Sequence, residues 1–313
     1  MNIDRRFLLR SLLAAPALPC LPECAWAAAT ALRVGDQKGG AHALLTAAGL
    51  AAQNSLSLQW SLFAGAPMLI QALTAGAVDV GVIGDAPLVF AQAGGSPIKA
   101  VAGIQTDGTM TAVIVRKDSR IHTVADLKGK SVATLRSQTG HYLMLAALRK
   151  AGLKDNDVRF VFIPPTSAKM ALQNGSVDAW ATWGPYIAEA KINDGAREIV
   201  NGGDMMSGLS YIVATDEAYA AKREEIRAYC RLLHEGHVWM LTHQDDYASA
   251  WAKETGLSVP VAREVVKTMV ASVVPLDATV LKKQQSVSDF MTETRMVASH
   301  LDTAAIAASG FTF

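Results

Sequence analysis

The chain alternates short apolar runs with stretches whose apolar residues recur every three or four positions, a pattern of strands alternating with helices. The spacing predicts strands at residues 32–36, 57–63, 78–83 and 98–105, with helices at 41–50, 67–74 and 87–93 between them. Beyond that come strands at 111–116, 131–135, 158–163 and 177–182, a short helical or turn piece at 124–130, and helices at 140–151, 167–173 and 185–191. A last strand falls at 209–215, and from Glu217 onward the pattern is mostly helical, with breaks expected at Gly256, Pro260 and Pro275. No low-complexity linker interrupts the pattern, so two crossing strands, near 111–115 and 212–214, are expected to form a hinge.

Two stretches about a hundred residues apart read alike. Leu73-Thr74-Ala75-Gly76-Ala77-Val78-Asp79 leads into an apolar run, Gly84 and Pro87, and Leu172-Gln173-Asn174-Gly175-Ser176-Val177-Asp178 leads into another, then Gly184 and Pro185. Gly76 and Gly175 are helix stops, and the prolines suit a first helical turn. Upstream, Ala47-Ala48-Gly49-Leu50 answers Lys150-Ala151-Gly152-Leu153. Each half thus carries strand–helix–strand–helix–strand, which predicts two similar α/β lobes with a ligand cleft between them.

Composition narrows the function classes. The 313 residues are 50% hydrophobic and 18% charged, enough for real cores. The net charge is +1. Residues 1–27 carry three basic side chains (Arg5, Arg6, Arg10) and two acidic ones (Asp4, Glu23), leaving 26 of each sign beyond them. No basic excess exists for a nucleic-acid partner. The first 27 residues are expected to be an export signal: Arg5-Arg6-Phe7-Leu8-Leu9, an apolar stretch from Ser11 to Leu18, then Ala25-Trp26-Ala27 as a cleavage site. The arginine pair resembles a twin-arginine signal, against an ordinary secretory one. Cleavage there leaves Cys230 alone, so no internal disulfide is expected, and its helical context between Tyr229 and Leu232 reads as a buried structural thiol.

One ordered set of motifs goes further. Phe63-Ala64-Gly65-Ala66-Pro67, Gly84-Asp85-Ala86-Pro87, Val124-Ala125-Asp126-Leu127-Lys128-Gly129-Lys130, His141-Tyr142-Leu143 and Gly175-Ser176-Val177-Asp178-Ala179-Trp180 resemble the solute-binding proteins of ABC importers for aliphatic sulfonates, nitrate and taurine. The likeness runs from about Leu32 to Glu189, with an echo at Lys283-Gln284-Gln285 and Phe290. It implies a type II periplasmic binding fold, α/β, in which each of two lobes is a mixed sheet flanked by helices. Lobe 1 is expected to comprise residues 28–112 plus 213–313, and lobe 2 residues 113–212. It also implies a periplasmic monomer that captures a small organic anion, an organosulfonate, for an inner-membrane ABC permease and its cytoplasmic ATPase. No cofactor or metal is expected.

Four strand-to-helix turns are expected to face the cleft: Gln37-Lys38-Gly39-Gly40, Ala64-Gly65-Ala66, Gly84-Asp85-Ala86 and Ser137-Gln138-Thr139-Gly140. Helix N-termini offer unpaired N–H donors and partial positive charge, which hold a sulfonate without a metal. Ser137 and Thr139 either donate to the anion or cap the helix. The resemblance carries a ligand-contacting glutamine onto Gln37. Lys38 is either a charge partner or a solvated loop residue. Asp85 either binds the ligand's far end or caps the helix expected from Pro87. His141 is expected to hydrogen-bond the anion, against packing beside Tyr142. Trp183 stands at the cleft edge, Phe63 either stands there or packs in the core, and Trp180 points to the core. Arg136-Ser137-Gln138-Thr139-Gly140 replaces a Gly-Ser-Ser-Ala-type run, and Gly184 replaces the usual Asp after the cleft-edge Trp. Arg136 and Gln138 either narrow the pocket or, through Arg136, meet a second acidic group. Aromatic or carboxylate-bearing sulfonates stay open.

Nothing resembles a catalytic set: there is no nucleophile elbow, no His-x-x-x-His pair and no CxxC. His234 and His237 share a helix face, read as a solvated amphipathic helix rather than a metal pair. The rival readings keep the fold and change the role: a sensor module for nitrate, an aromatic acid or a pyrimidine precursor, or an enzyme of thiamine-precursor or menaquinone type. The export signal and the missing cysteine-rich motif count against the enzymes.

Overall fold

Two sheets carry the chain, and their strand orders match. The computed structural model describes residues 31–53, 56–136, 138–308 and 310–313; the expected export signal and Ser137 lie outside them. The first sheet begins with β1 (Leu32–Gln37), α1 (Ala41–Ala47), α2 (Leu50–Gln53), β2 (Leu58–Phe63), α3 (Ala66–Thr74), β3 (Val80–Gly84), α4 (Asp85–Ala93) and β4 (Ile98–Gln105). The chain then builds β5 (Thr111–Val115), β6 (Ser131–Thr134), α5 (Thr139–Lys150), β7 (Arg159–Phe162), α6 (Pro165–Gln173), β8 (Ala179–Trp183), α7 (Pro185–Asp194) and β9 (Arg197–Asn201). It returns through β10 (Leu209–Thr215), α8 (Asp216–Ala221), α9 (Arg223–Met240), α10 (Gln244–Thr255), α11 (Val259–Val266), β11 (Ser272–Val274) and α12 (Ala278–Glu293).

The first sheet has the order β11-β4-β10-β3-β1-β2 and the second β7-β6-β8-β5-β9. Read from the other edge, the first sheet without β11 becomes β2-β1-β3-β10-β4, which matches the second strand for strand. In both, the parallel strands come from successive strand–helix units. In both, the antiparallel strand is supplied by the other crossing of the chain, β10 in the first sheet and β5 in the second. The repeat seen in the sequence is therefore a repeat of topology. The pairing of β1 with β2 in register from Leu32↔Leu58 to Gln37↔Phe63 puts both strand ends, and both following turns, at one edge.

Several expectations need correction. The crossing strands do not cross: β5 lies wholly in the second sheet and β10 wholly in the first. The chain passes between sheets in residues 106–110 and 202–208, so sheet membership moves the expected divisions at 112/113 and 212/213 into those segments. There the backbones bond directly, with Thr106 N–H donating to the Gly208 carbonyl at 2.7 Å and Gly202 N–H to the Thr111 carbonyl at 2.8 Å. α4 begins at Asp85 rather than Pro87, since Gly84 is still extended and Asp85 already occupies the first turn. Pro260 does not break a helix but sits in the first turn of α11. Two strands were missed, β9 and β11, because each carries only two apolar residues and is identified by pairing with β5 or β4.

Apolar side chains cover both faces of both sheets. Leu32, Val34 and Ile212 pack under Tyr229 and Cys230 of α9, while Leu69, Leu73, Ile83 and Tyr211 pack on the other face. In the second sheet Val113, Val132 and Ala181 lie under Leu143, Met144 and Leu148 of α5, and Trp180 packs on the opposite face beside Ile187 of α7. Trp180 is thus core, as expected. Cys230 is fully buried, and burial pushes its thiol up to about 12, consistent with a structural thiol. His234 and Glu235 are exposed and His237 is half-buried, where burial, then the charge of His234, lowers it to about 4. Among the described residues no helix is long and apolar enough to cross a membrane.

Candidate ligand-binding site

The C-terminal ends of β1, β2 and β3 and those of β6, β7 and β8 each feed a helix, and these are the places where open α/β sheets bind ligands. The two sets approach each other. A methyl placed on Gly84, before α4, would stand 3.8 Å from Thr139 Cγ2 at the start of α5. A methyl on Gly184, before α7, would stand 3.9 Å from Met110 Cγ in the first crossing segment.

The expected anion-binding turns are not equivalent. At α1, Asp36 Oδ2 accepts the His42 N–H at 2.8 Å, so the chain's own carboxylate occupies that N-terminus. Burial drives Asp36 up to about 6 against the pull of those backbone donors. At α4, Asp85 Oδ1 accepts the Ala86 N–H at 2.7 Å and Oδ2 accepts the Ser207 hydroxyl at 2.5 Å. Asp85 is 3% exposed, and burial raises its pKa. Both its oxygens are engaged, one by the helix and one by the second crossing segment. Two of the helix starts thus already have a carboxyl group of the chain's own bonded to them.

The other two do not. Among the described residues no side-chain hydrogen bond caps α3 or α5, and neither has an acidic residue in its first turn. α5 is the longer, with 12 residues. Pro67 removes one donor from the first turn of α3. Gly140 lets α5 sit close to the sheet: a Cβ there would lie 2.5 Å from the Ala181 carbonyl oxygen. Gln138 occupies the N-cap in extended conformation without a side-chain cap bond.

The remaining expected residues divide into walls and supports. Gln37 lies along β3, its amide donating to the Val82 carbonyl at 3.2 Å. Lys38 is exposed, in a turn pinned from behind by Trp251, whose indole N–H donates to the Gly39 carbonyl at 2.8 Å, and by Glu254, which accepts the Gly39 N–H at 3.2 Å. Phe63 and Trp183 are half-buried at strand ends, and Trp183 meets Tyr186 edge-on at 5.5 Å. Ala64 and Gly65 form the turn between β2 and α3. His141 is 8% exposed and packs edge-on against Phe160 and Phe162 at 5.2 and 5.1 Å. Burial, then the charge of Arg136, lowers it to about 4, so it is a neutral ring among these aromatic neighbours. Arg136 is exposed, its guanidinium carbon 3.7 Å from the centre of the Phe162 ring.

Sequence reading missed Ser207, Tyr186, Phe160, Phe162, Trp251 and Glu254. Phe160 and Phe162 carried a signal, since both fall in a predicted strand that ends beside the Arg136 turn. Ser207 carried none, because its partner Asp85 is distant in sequence. Among the described residues no group of three or more His, Cys, Asp or Glu stands together as a metal cluster would.

Residues 55–247 match the family model described as NMT1/THI5 like. The crystal structure of the periplasmic aliphatic sulphonate binding protein of Escherichia coli is similar to this chain with a TM-score of 0.83 and 31% identity, covering 88% of this chain and 91% of that one. The alkanesulfonate-binding protein of Xanthomonas axonopodis pv. citri, bound to MOPS, is similar with a TM-score of 0.80 and 28% identity, covering 88% and 97%. A taurine-binding periplasmic protein of Escherichia coli (strain K12) is 31% identical over 137 residues, 44% of this chain and 42% of its own length.

Proposed function

Since the chain belongs to the NMT1/THI5-like family, we propose that it works as its sulfonate-binding relatives do, as the extracytoplasmic component of an ABC importer that captures a small organosulfonate. It is a binding protein and not an enzyme, as are the sulfonate-binding relatives that it matches at 28–32% identity along most of its length. The chain is exported, residues 1–27 are removed, and the mature protein acts as a monomer in the periplasm, delivering its ligand to a membrane permease driven by a cytoplasmic ATPase.

One observation carries the placement of the ligand. Asp36 and Asp85 already bond backbone N–H groups at the starts of α1 and α4, whereas among the described residues α5 has no side-chain cap bond and no acidic residue in its first turn. A sulfonate supplies the missing negative charge there. Thr139 and Gln138 flank it, Ser137 precedes it, Gly84 and Gln37 approach from the first sheet, and Phe63 and Trp183 supply apolar walls for the tail. Asp85 serves as a strut to Ser207, and His141 supports the wall. The ligand touches both lobes and so favours their closed arrangement.

The experiment is a thermal-shift panel on the mature chain, stripped of ligand by unfolding and refolding, with taurine, alkanesulfonates, aromatic sulfonates, sulfate, nitrate and pyrimidine precursors. A sulfonate at a hundred times its Kd is expected to stabilise by about 2.7 kcal/mol. In Gln138→Asp, a carboxylate at the α5 N-cap competes with the ligand: affinity is expected to fall at least about tenfold while the melting temperature without ligand holds or rises. A pyrimidine precursor or nitrate as the only stabilising compound would overturn the sulfonate assignment, and unchanged affinity in Gln138→Asp would move the anion away from α5.

A further inference from the structure

Arg136 differs from several arginines near the sheets in what holds it. Arg33, Arg116, Arg149, Arg227 and Arg263 each meet a carboxylate, and Arg197 donates to backbone carbonyls. Arg136 is exposed and has no carboxylate and no hydrogen-bond acceptor among the described residues. It is nonetheless held, with its guanidinium over the Phe162 ring at 3.7 Å. Phe162 is fixed in turn: it stacks on Phe160 at 5.6 Å with their planes 8° apart, and His141 stands edge-on to both.

Stacking uses the face of a guanidinium and leaves the N–H donors at its edge for a planar anion. It also restricts a long side chain before any ligand arrives, so less entropy is lost on binding. Phe162 ends β7 and Arg136 follows β6, its pairing partner, at the same sheet edge where α5 begins. The acids at the starts of α1 and α4 bond other groups than Arg136: Asp36 accepts from His42 N–H, and Asp85 from Ala86 N–H and the Ser207 hydroxyl. On the other lobe Lys38 is likewise exposed and has no carboxylate partner among the described residues.

We propose that the preferred ligand is a sulfonate bearing a second anionic group, a carboxylate, and that Arg136, held on Phe162, is the residue that selects it. This rests on the sulfonate reading above. The sulfonate sits at α5, and the carboxylate takes the in-plane donors of Arg136, with Lys38 adding positive charge from the facing lobe as the lobes close.

The test is titration calorimetry of the mature chain with sulfopropionate and with propanesulfonate, which differ by the carboxylate, on the parent and on Arg136→Met and Arg136→Lys. The parent is expected to bind sulfopropionate about tenfold or more tightly than propanesulfonate, in line with a charge-assisted pair. Arg136→Met keeps an apolar contact with Phe162 and is expected to abolish that preference, sulfopropionate losing at least about tenfold more affinity than propanesulfonate. Arg136→Lys, which loses the planar fork, is expected to fall between the two. Absence of the preference in the parent, or its persistence in Arg136→Met, overturns the proposal and leaves the sulfonate reading standing. If neither compound binds the parent while a non-sulfonate does, both fall together.

Discussion

Asp79 and Asp178 hold matched places in the two halves and do the same work. Asp79 Oδ2 accepts the Arg33 N–H at 2.8 Å, where β1 begins, and Asp178 Oδ2 accepts the Ser131 N–H at 2.8 Å, where β6 begins. Each carboxylate pins the start of its lobe's first parallel strand from the loop before its third. The surroundings differ. Asp79 also meets the Arg33 guanidinium at 2.5 Å and the Lys222 ammonium at 2.7 Å, whereas Asp178 adds the Ser131 hydroxyl at 2.7 Å.

That difference predicts unequal costs. Asp79→Asn strands two cations and is expected to destabilise by about 2–4 kcal/mol, against about 1 kcal/mol for Asp178→Asn. Its hydrogen bonds from Arg33 and Lys222 hold the Asp79 carboxyl below the usual carboxylate range despite burial, which acts the other way. Its contribution is therefore full above the unfolded value near 4 and is lost as pH falls through the lower folded value. Urea denaturation at pH 7 and pH 3 should show the gap between parent and Asp79→Asn closing at the lower pH.

Asp36 predicts the opposite slope. Burial raises it to about 6 in the folded state, above an unfolded value near 4. The folded protein binds this proton more tightly, so stability falls as pH rises from about 4 to about 6. Asp36→Asn keeps an acceptor for the His42 N–H without the buried charge. Its melting temperature is expected to exceed the parent's at pH 7.5, by the equivalent of about 1–2 kcal/mol, and to match it near pH 4.

The crossing segments predict a contrast between two glycines. Gly208 has φ +65° and a Cβ there would lie 2.4 Å from the Thr106 carbonyl oxygen, whereas Gly256, with φ +76°, has nothing within 4 Å. Gly256→Ala is expected to cost about 1 kcal/mol, from backbone conformation alone. Gly208→Ala adds a clash between the segments and is expected to cost about 2–4 kcal/mol. Ligand affinity, measured calorimetrically, should fall in Gly208→Ala and not in Gly256→Ala, because only Gly208 lies in a segment that joins the two sheets.

A third contact joins the lobes through packing. Tyr142 of α5 meets Phe290 of α12 at 4.7 Å, and Arg149 pairs with Glu293 at 2.7 Å across the same helices. The ion pair is more than half exposed on both sides and the tyrosine is 6% exposed. Glu293→Gln is expected to change stability by less than about 0.5 kcal/mol, and Tyr142→Ala to cost about 3 kcal/mol. Denaturant melts of the two variants measure this directly.

Much of this was legible in the sequence because it is local or periodic. Strands such as 98–105 and 209–215 declare themselves by apolar runs, and the repeat around Gly76-Ala77-Val78-Asp79 and Gly175-Ser176-Val177-Asp178 declares the second lobe. The turns before α3 and α5 were found because Gly and small residues follow apolar strands there. β9 and β11 were not, since each is held by a neighbour rather than by its own pattern.

By itself the sequence determined the α/β alternation, the twofold repeat, the buried Trp180 and Cys230, and which turns precede helices. Each follows from spacing, size or backbone permissiveness within a few residues. The tertiary structure alone decided which helix N-termini keep their donors, because Asp36 and Asp85 fill theirs, the latter while bonded to Ser207 far along the chain. It also decided that the crossings lie in loops rather than in β5 and β10, that His141 packs among aromatic neighbours, and that Arg136 is held on Phe162 without an acid beside it. Burial, pairing and charge compensation depend on which distant residues fold into contact, and no local pattern records that.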